Sequence, residues 1–240
     1  MNMHVEYAGL AHLDGIMEIE AETFGALGAE ATASRALMAD RIDRCNIRGA
    51  GWFLVAVHEG VVMAYLVLQP TALGVDECVS WDVSTDRGTF ARTYDEEGTT
   101  VFGASLGARR AAPPGSTVMI FHQTLVLMLK RKKERVIFCS RMPGLSNAMI
   151  KKGVDPEAYC FQVDDSGCPV DWLLGEFYES LGVLPRRFLP NGYPPDADSA
   201  GHGAQIVLED LHHALETTAT RIYQSGIVCG RSRRKGKVSQ

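Results

Sequence analysis

The sequence lacks most of the features that announce a specialised class of protein. None of its six cysteines (Cys45, Cys78, Cys139, Cys160, Cys168, Cys229) stands in a CxxC pair or beside histidines at metal-ligand spacing, so no metal site is expected. The chain begins MNMHVEY, without a basic-then-apolar leader, and the scattered cysteines then read as reduced thiols of a cytoplasmic protein. Long hydrophobic runs are missing too. The most apolar stretch, residues 118–129, contains His122 and Gln123 and falls short of the roughly 20 apolar residues that a membrane span needs. Charge of one sign is not in excess: 24 Lys and Arg stand against 29 Asp and Glu, a net −5, and basic residues bunch only at 130–133 and 231–237. That balance argues against nucleic acid or an anionic membrane as partner. Internal repeats, a Walker GxxxxGK[ST] loop and a GxGxxG turn are also absent.

What is present suits a globular enzyme. The 240 residues are 46% hydrophobic and 22% charged, enough for one large α/β domain or one domain with an extension. Residues 13–25 place Ile16, Ile19 and Phe24 near one helical face. Residues 34–46 form a second helix, capped by Ser34, with Leu37, Met38 and Ile42 as its stripe. The period then changes: residues 52–57 and 61–68 read as strands joined by a turn at Glu59-Gly60. Residues 69–98 are polar and aperiodic, and a loop of that length is more often functional than idle.

A strand resumes at 100–106, runs into GARRAAPPG, and from Ser116 a long helix ends in KRKKE. Residues 135–140 (RVIFCS) form a buried strand. The middle of the chain is therefore a β-α-β unit. A loop at 143–153, a helix near 172–181, a strand at 186–189, a Pro-rich turn and a strand at 204–208 follow. An amphipathic helix (210–223) and the basic tail close the chain.

Chemistry concentrates in residues 107–117, GARRAAPPGST. A small-residue loop that opens a helix aims backbone amides and the positive helix end at one point, a setting for phosphate or pyrophosphate. Arg109 and Arg110 add charge, Gly115 permits close approach, and Ser116 can cap the helix or donate to an anion. The same loop is equally a plain strand-to-helix connection on physical grounds alone.

In that place the run Arg110-Ala111-Ala112-Pro113-Pro114-Gly115 resembles the pyrophosphate loop Arg/Gln-x-x-Gly-x-Gly/Ala of the GCN5-related N-acetyltransferase (GNAT) superfamily. The run Phe177-Tyr178-Glu179-Ser180-Leu181-Gly182-Val183 resembles its FYEKLGF signature. Pro113 departs from the pattern, and Pro113-Pro114 removes two amide donors that Arg109 and Arg110 would offset. The resemblance covers residues 5–209. It implies a mixed α/β fold, a GNAT-like mixed central sheet flanked by helices, over residues 1–209, with a C-terminal helical extension and basic tail over 210–240. It implies acetyl-CoA or another acyl-CoA as co-substrate, without a metal. The backbone of Ala104, Ser105 and Leu106 would bind the pantetheine arm, and Arg109, Arg110, Ala111, Ala112, Pro114, Gly115, Ser116 and Thr117 the pyrophosphate. Tyr178 would protonate the departing thiolate.

The strand carboxylate that serves many GNAT enzymes as base falls at Thr100 here, and a threonine is no base at neutral pH. Glu96 and Glu97 lie in a turn. Asp82, with Trp81 as a pocket wall, sits in the long loop that would cover the acceptor. His122 reads as a core histidine, and Arg141, at the end of the buried strand, as an anchor for a carboxylate. Transfer to a small-molecule amine ranks first. GNAT-like domains of polyketide biosynthesis, also similar in type, imply an alternative: decarboxylation of malonyl-CoA and transfer to an acyl carrier protein thiol, with Thr100 as donor. A GNAT-like module without catalysis is the third reading.

Overall fold

The computed structural model describes residues 2–29, 31–46, 50–194, 196–225 and 228–229; the basic tail at 231–237 lies outside them. The first strand, β1 (Asn2–Tyr7), precedes the helices α1 (Leu13–Phe24) and α2 (Arg35–Asn46). The hairpin β2 (Phe53–His58) and β3 (Val61–Thr71) follows, and both its turn residues, Glu59 and Gly60, have positive φ, as a tight hairpin requires. The long loop holds one short helix, α3 (Trp81–Thr85), capped by Ser80. Next come β4 (Thr100–Ala108), α4 (Ser116–Lys130), β5 (Arg135–Ser140), α5 (Leu145–Lys152), α6 (Pro156–Cys160), α7 (Trp172–Leu181), β6 (Pro185–Leu189), β7 (Gly203–Leu208), α8 (Leu211–Gln224) and the two-residue β8 (Val228–Cys229).

The strands form one mixed sheet in the order β6-β7-β5-β4-β3-β2-β1-β8, in which β4 and β5 pair in parallel near the centre and β1 and β8 at the edge. β2 and β3 are buried almost without alternation, so both faces of the sheet are covered. α1 and α2 pack against β2–β4, and α4, backed by α8, packs against β1–β3. Trp52, Phe53, Tyr65 and Leu66 are sealed in the resulting core.

One expectation needs correction. The stretch 143–153 is not a loop but contains α5, which buries only Leu145 and ends on Gly153; so short and exposed a helix leaves no apolar stripe to read. The N-terminal strand β1 adds to the hairpin by pairing antiparallel with β2.

One departure from regularity places the site. β4 and β5 pair from Thr100↔Arg135 to Gly103↔Phe138 and no further, although both strands continue. On its other edge β4 slips register against β3, where Val67↔Ser105 gives way to Leu68↔Gly103. Ala104 is the extra residue, and such a bulge twists a strand away from its neighbour. The Phe138 ring lies against Gly103, where a Cβ would come within 2.1 Å of it. A glycine, a bulge and a phenylalanine wedge thus split the sheet along Ala104–Leu106.

Candidate active site

A cavity of about 90 Å³ fills the split. Its walls are the residues from Gly103 to Leu106 on one strand and from Phe138 to Arg141 on the other, under Leu173 and Phe177 of α7. Past Leu106 it adjoins a narrower cleft that Thr117, at the start of α4, helps to line. Past Trp81 and Tyr193 it meets a larger cavity of about 340 Å³ between α1, α2 and α3. The split shares lining residues with each of the other two spaces, so the three lie in series from the α4 N-terminus to the loop side of the sheet.

The expected anion loop keeps some of its donors and commits others. Nothing among the described residues accepts from the amides of Gly115, Thr117 and Val118, so the helix start remains open to an anion. Arg110 is exposed and no described residue binds its guanidinium, although its amide donates to Glu22 at 3.1 Å. Arg109 is different. Its Nε donates to the Val62 carbonyl at 2.8 Å, and its guanidinium pairs with Glu18 and, at 3.5 Å, with Glu22; the fold uses this charge to tie the loop to α1. Ser116 is buried and its hydroxyl donates to the Pro113 carbonyl at 2.5 Å, so it closes the loop instead of facing an anion. Ala111 and Pro114 are exposed, and the Ala112 amide is taken by Arg109.

Of the expected catalytic groups, the structure brings Asp82 and Arg141 to the path, together with the expected pocket wall Trp81, and leaves two away from it. Thr100 is buried at the opposite end of β4, four residues and about 13 Å from Ala104. Tyr178 is half-buried on α7 and lines none of the three spaces, because its neighbour Phe177 takes the inward position. Trp81 divides the two main cavities, with its Nε1 donating to the carbonyl of the bulge residue Ala104 at 2.6 Å. Arg141 holds Asp196 with two bonds of 2.7 and 3.1 Å. Burial pushes the Asp196 carboxyl upward, but the bonds from Arg141 and Ser199 outweigh it and hold it below the usual range. Arg141 therefore fixes an internal carboxylate, and with it the loop that carries Tyr193. Glu96 is no idle turn residue: it receives Trp52, Tyr94 and Arg131 away from the split. His122 is satisfied by Thr218 at 3.0 Å.

Three site groups escaped the sequence reading. Glu20 is 2% exposed and lines the larger cavity. Its Oε1 accepts from the Ala33 amide at 2.7 Å and its Oε2 from the Tyr65 hydroxyl. Tyr65 in turn meets Ser105 Oγ at 3.0 Å, which makes a hydrogen-bonded chain Ser105–Tyr65–Glu20 from the split into the protein. Burial raises the Glu20 carboxyl, and the bonds from Tyr65 and Ala33 and the charge of Arg41 reverse only part of that. Arg41 is the second, buried in the same cavity. Tyr193 is the third: its ring packs edge-on to Trp81 at 5.9 Å, and burial raises its hydroxyl. The sequence did carry a signal for the first two. Glu20 falls four residues after Ile16 and four before Phe24, and Arg41 falls beside Leu37 and Met38, each within an apolar stripe. Cys139 also lines the split, but burial pushes its thiol to about 12, which leaves no thiolate for nucleophilic attack.

No protein-family model and no curated protein sequence matches the chain. Solved structures do. The GphF GNAT-like decarboxylase in complex with isobutyryl-CoA shares 23% identity over 86% of this chain and 98% of its own, with a TM-score of 0.69. The loading GNATL domain of CurA from Lyngbya majuscula shares 15% over 88% and 98%, with a TM-score of 0.65. The structure of yncA from Salmonella typhimurium with acetyl-CoA shares 15% over 86% and 93%, with a TM-score of 0.51. At such identities the likeness is one of fold alone: a mixed sheet flanked by helices, shared with these GNAT-like structures.

Proposed function

We propose that this chain is an acyl-CoA-dependent acyltransferase that holds the thioester between β4 and β5 and passes the acyl group by direct attack. One observation carries the reading: the split runs from the unbonded amides of α4 to the buried chain Ser105–Tyr65–Glu20. The pyrophosphate meets those amides and Arg110. The pantetheine arm lies along the unpaired edge of Ser105 and Leu106, under Leu173 and Phe177. The acceptor enters through the larger cavity past Asp82. With an amine acceptor, the nitrogen attacks the thioester carbonyl and the C–S bond breaks. Ser105 takes the amine proton as it passes its own to Tyr65, and Tyr65 passes its own to Glu20. Tyr193 protonates the departing thiolate and recovers its proton from water.

A second reading has its own support. The solved structures at TM-scores of 0.69 and 0.65 are named as a decarboxylase and a loading domain, whereas the acetyl-CoA complex stands at 0.51. In that reading a malonyl-type acyl-CoA loses CO2 as the carboxyl C–C bond breaks. The electron pair moves toward the thioester carbonyl, and the carbon takes a proton back along the Glu20 chain. The carrier-protein thiol then attacks the carbonyl, the C–S bond to CoA breaks, and the thiol's proton passes to the departing thiolate. Two assays decide between them: CoA release from acetyl-CoA with a panel of amines, and release of labelled CO2 from malonyl-CoA with and without carrier protein. Amine-dependent CoA release without CO2 supports the first, and CO2 release supports the second. Failure of CoA, acetyl-CoA and malonyl-CoA to bind at all removes both and leaves a non-catalytic module.

A further inference from the structure

The larger cavity holds a cation that the transfer chemistry does not use. Arg41 is 2% exposed, yet neither of its Nη nitrogens donates to a described residue, and no described carboxylate forms an ion pair with it. Glu20, in the same cavity, has both oxygens occupied by Ala33 and Tyr65. The charge of Glu20 acts on it across the cavity, but a buried guanidinium whose Nη donors have no partner is still costly, and this one is held firmly in place. Its Nε donates to the Gly88 carbonyl at 2.8 Å, and its plane lies 5.3 Å from the Phe90 ring and 5.9 Å from the Trp81 ring. The segment that builds this seat has positive φ at Asp86, Arg87, Gly88 and Phe90, conformations that cost strain and collect at ligand sites. At Gly88 a Cβ would come within 2.2 Å of Arg41 Nη2 and 2.8 Å of the Trp81 ring, so the seat requires glycine. Arg87 adds a second, exposed cation to the same cavity.

We infer that Arg41 is a receptor for a carboxylate, which it binds in the larger cavity beside Ser105 and Trp81. A planar guanidinium fork matches a carboxylate, and the presence of Glu20 and Asp82 in the same cavity disfavours a doubly charged phosphate. The inference rests on the reading of the split as the thioester site and adds the chemical class of the group beside it. That carboxylate has two sources: the far end of a malonyl-type acyl group, or an acceptor that carries one.

The test measures displacement of a fluorescent CoA by CoA, acetyl-CoA and malonyl-CoA, read by stopped flow before turnover, and acetyl transfer to amino acids against the same amino acids as amides. It uses the wild-type chain, Arg41→Gln, Arg41→Lys and Gly88→Ala, with near-UV circular dichroism to confirm folding. A charge-assisted fork predicts a preference of about ten- to a hundredfold for the carboxylated partner. A preference for malonyl-CoA over acetyl-CoA assigns the acyl group as source, and a preference for amino acids over amides assigns the acceptor. Either preference should collapse in Arg41→Gln, with CoA itself bound as before, and weaken in Arg41→Lys, which keeps the charge and loses the fork. In Gly88→Ala it should weaken with no change of charge. Wild-type protein that binds CoA but shows neither preference overturns the receptor and leaves the thioester site standing. Wild-type protein that does not bind CoA overturns the thioester site instead. A preference that survives intact in a folded Arg41→Lys or Gly88→Ala chain also rejects Arg41.

Discussion

Glu20 stands one helical turn from Ile16 and one from Phe24, where a solvated carboxylate has no place. Its burial raises its carboxyl above the ordinary range, so the acyl-transfer rate with an amine should rise with pH as Glu20 ionises, along a limb displaced above that of a free glutamate. Glu20→Gln should lower the rate by about 10²- to 10⁴-fold and abolish the limb in a kcat/KM profile; a limb that persists would remove Glu20 from the relay. The sign for stability is the reverse of the usual carboxylate case. The folded state holds this proton more tightly than the unfolded one, so the contribution to stability falls as pH rises from the unfolded pKa through the folded one. Urea denaturation at stepped pH should accordingly show Glu20→Gln gaining on the wild type as pH climbs. A different thiol result follows at Cys139. With its pKa pushed to about 12 it stays protonated, and Cys139→Ser should transfer acyl groups at the wild-type level with no acylated protein detectable by mass spectrometry. An acylated Cys139 would sink direct attack.

At the scale of elements, the two arginines of the anion loop separate structure from binding. Arg109 ties β3 and α1 to the loop through Val62, Glu18 and Glu22, whereas Arg110 reaches solvent. Arg109→Ala should therefore cost about 1–3 kcal/mol of stability by chemical denaturation, the range for lost bonds to a charged group. Arg110→Ala should stay within about 0.5 kcal/mol of wild type and instead weaken CoA in a calorimetric titration. Equal effects of the two on stability would deny the division. The sequence showed both arginines but not this difference, because a neighbour 91 residues away in the chain, Glu18, decides it. The β-α-β unit was legible because residues 100–106, 116–130 and 135–140 carry clear periods. The split was not legible. It depends on a one-residue slip of β4 against β3 and on the Phe138 ring over Gly103, and neither leaves a trace in local pattern. Tyr193 and Asp196 were hidden for a related reason: a Pro-rich turn has no period, and contacts distant in the chain, from Arg141, Met142 and Trp81, fix where that turn returns.

For the molecule as a whole, the site is a fault line through its own sheet, and that couples ligand to fold. The parallel pair β4–β5 joins the β1–β4 half to the β5–β7 half, yet it is hydrogen-bonded over only four residue pairs, Thr100↔Arg135 to Gly103↔Phe138. An acyl-CoA laid along the unpaired edge would supply contacts across the gap that the chain itself omits, and only the folded state offers that edge. At about a hundred times its dissociation constant such a ligand adds roughly 2.7 kcal/mol. For a chain of this size each kcal/mol moves the midpoint by about 2–4 °C, so saturating CoA should raise Tm by about 5–11 °C in a thermal scan. Hydrogen exchange should locate the gain. Protection is expected to increase at Ser105 and Leu106 and at the amides of Gly115, Thr117 and Val118, with β1 and β2 unchanged. A uniform increase across the sheet would mean that the ligand stabilises the protein without entering the split, and no increase at the α4 amides would place the pyrophosphate elsewhere.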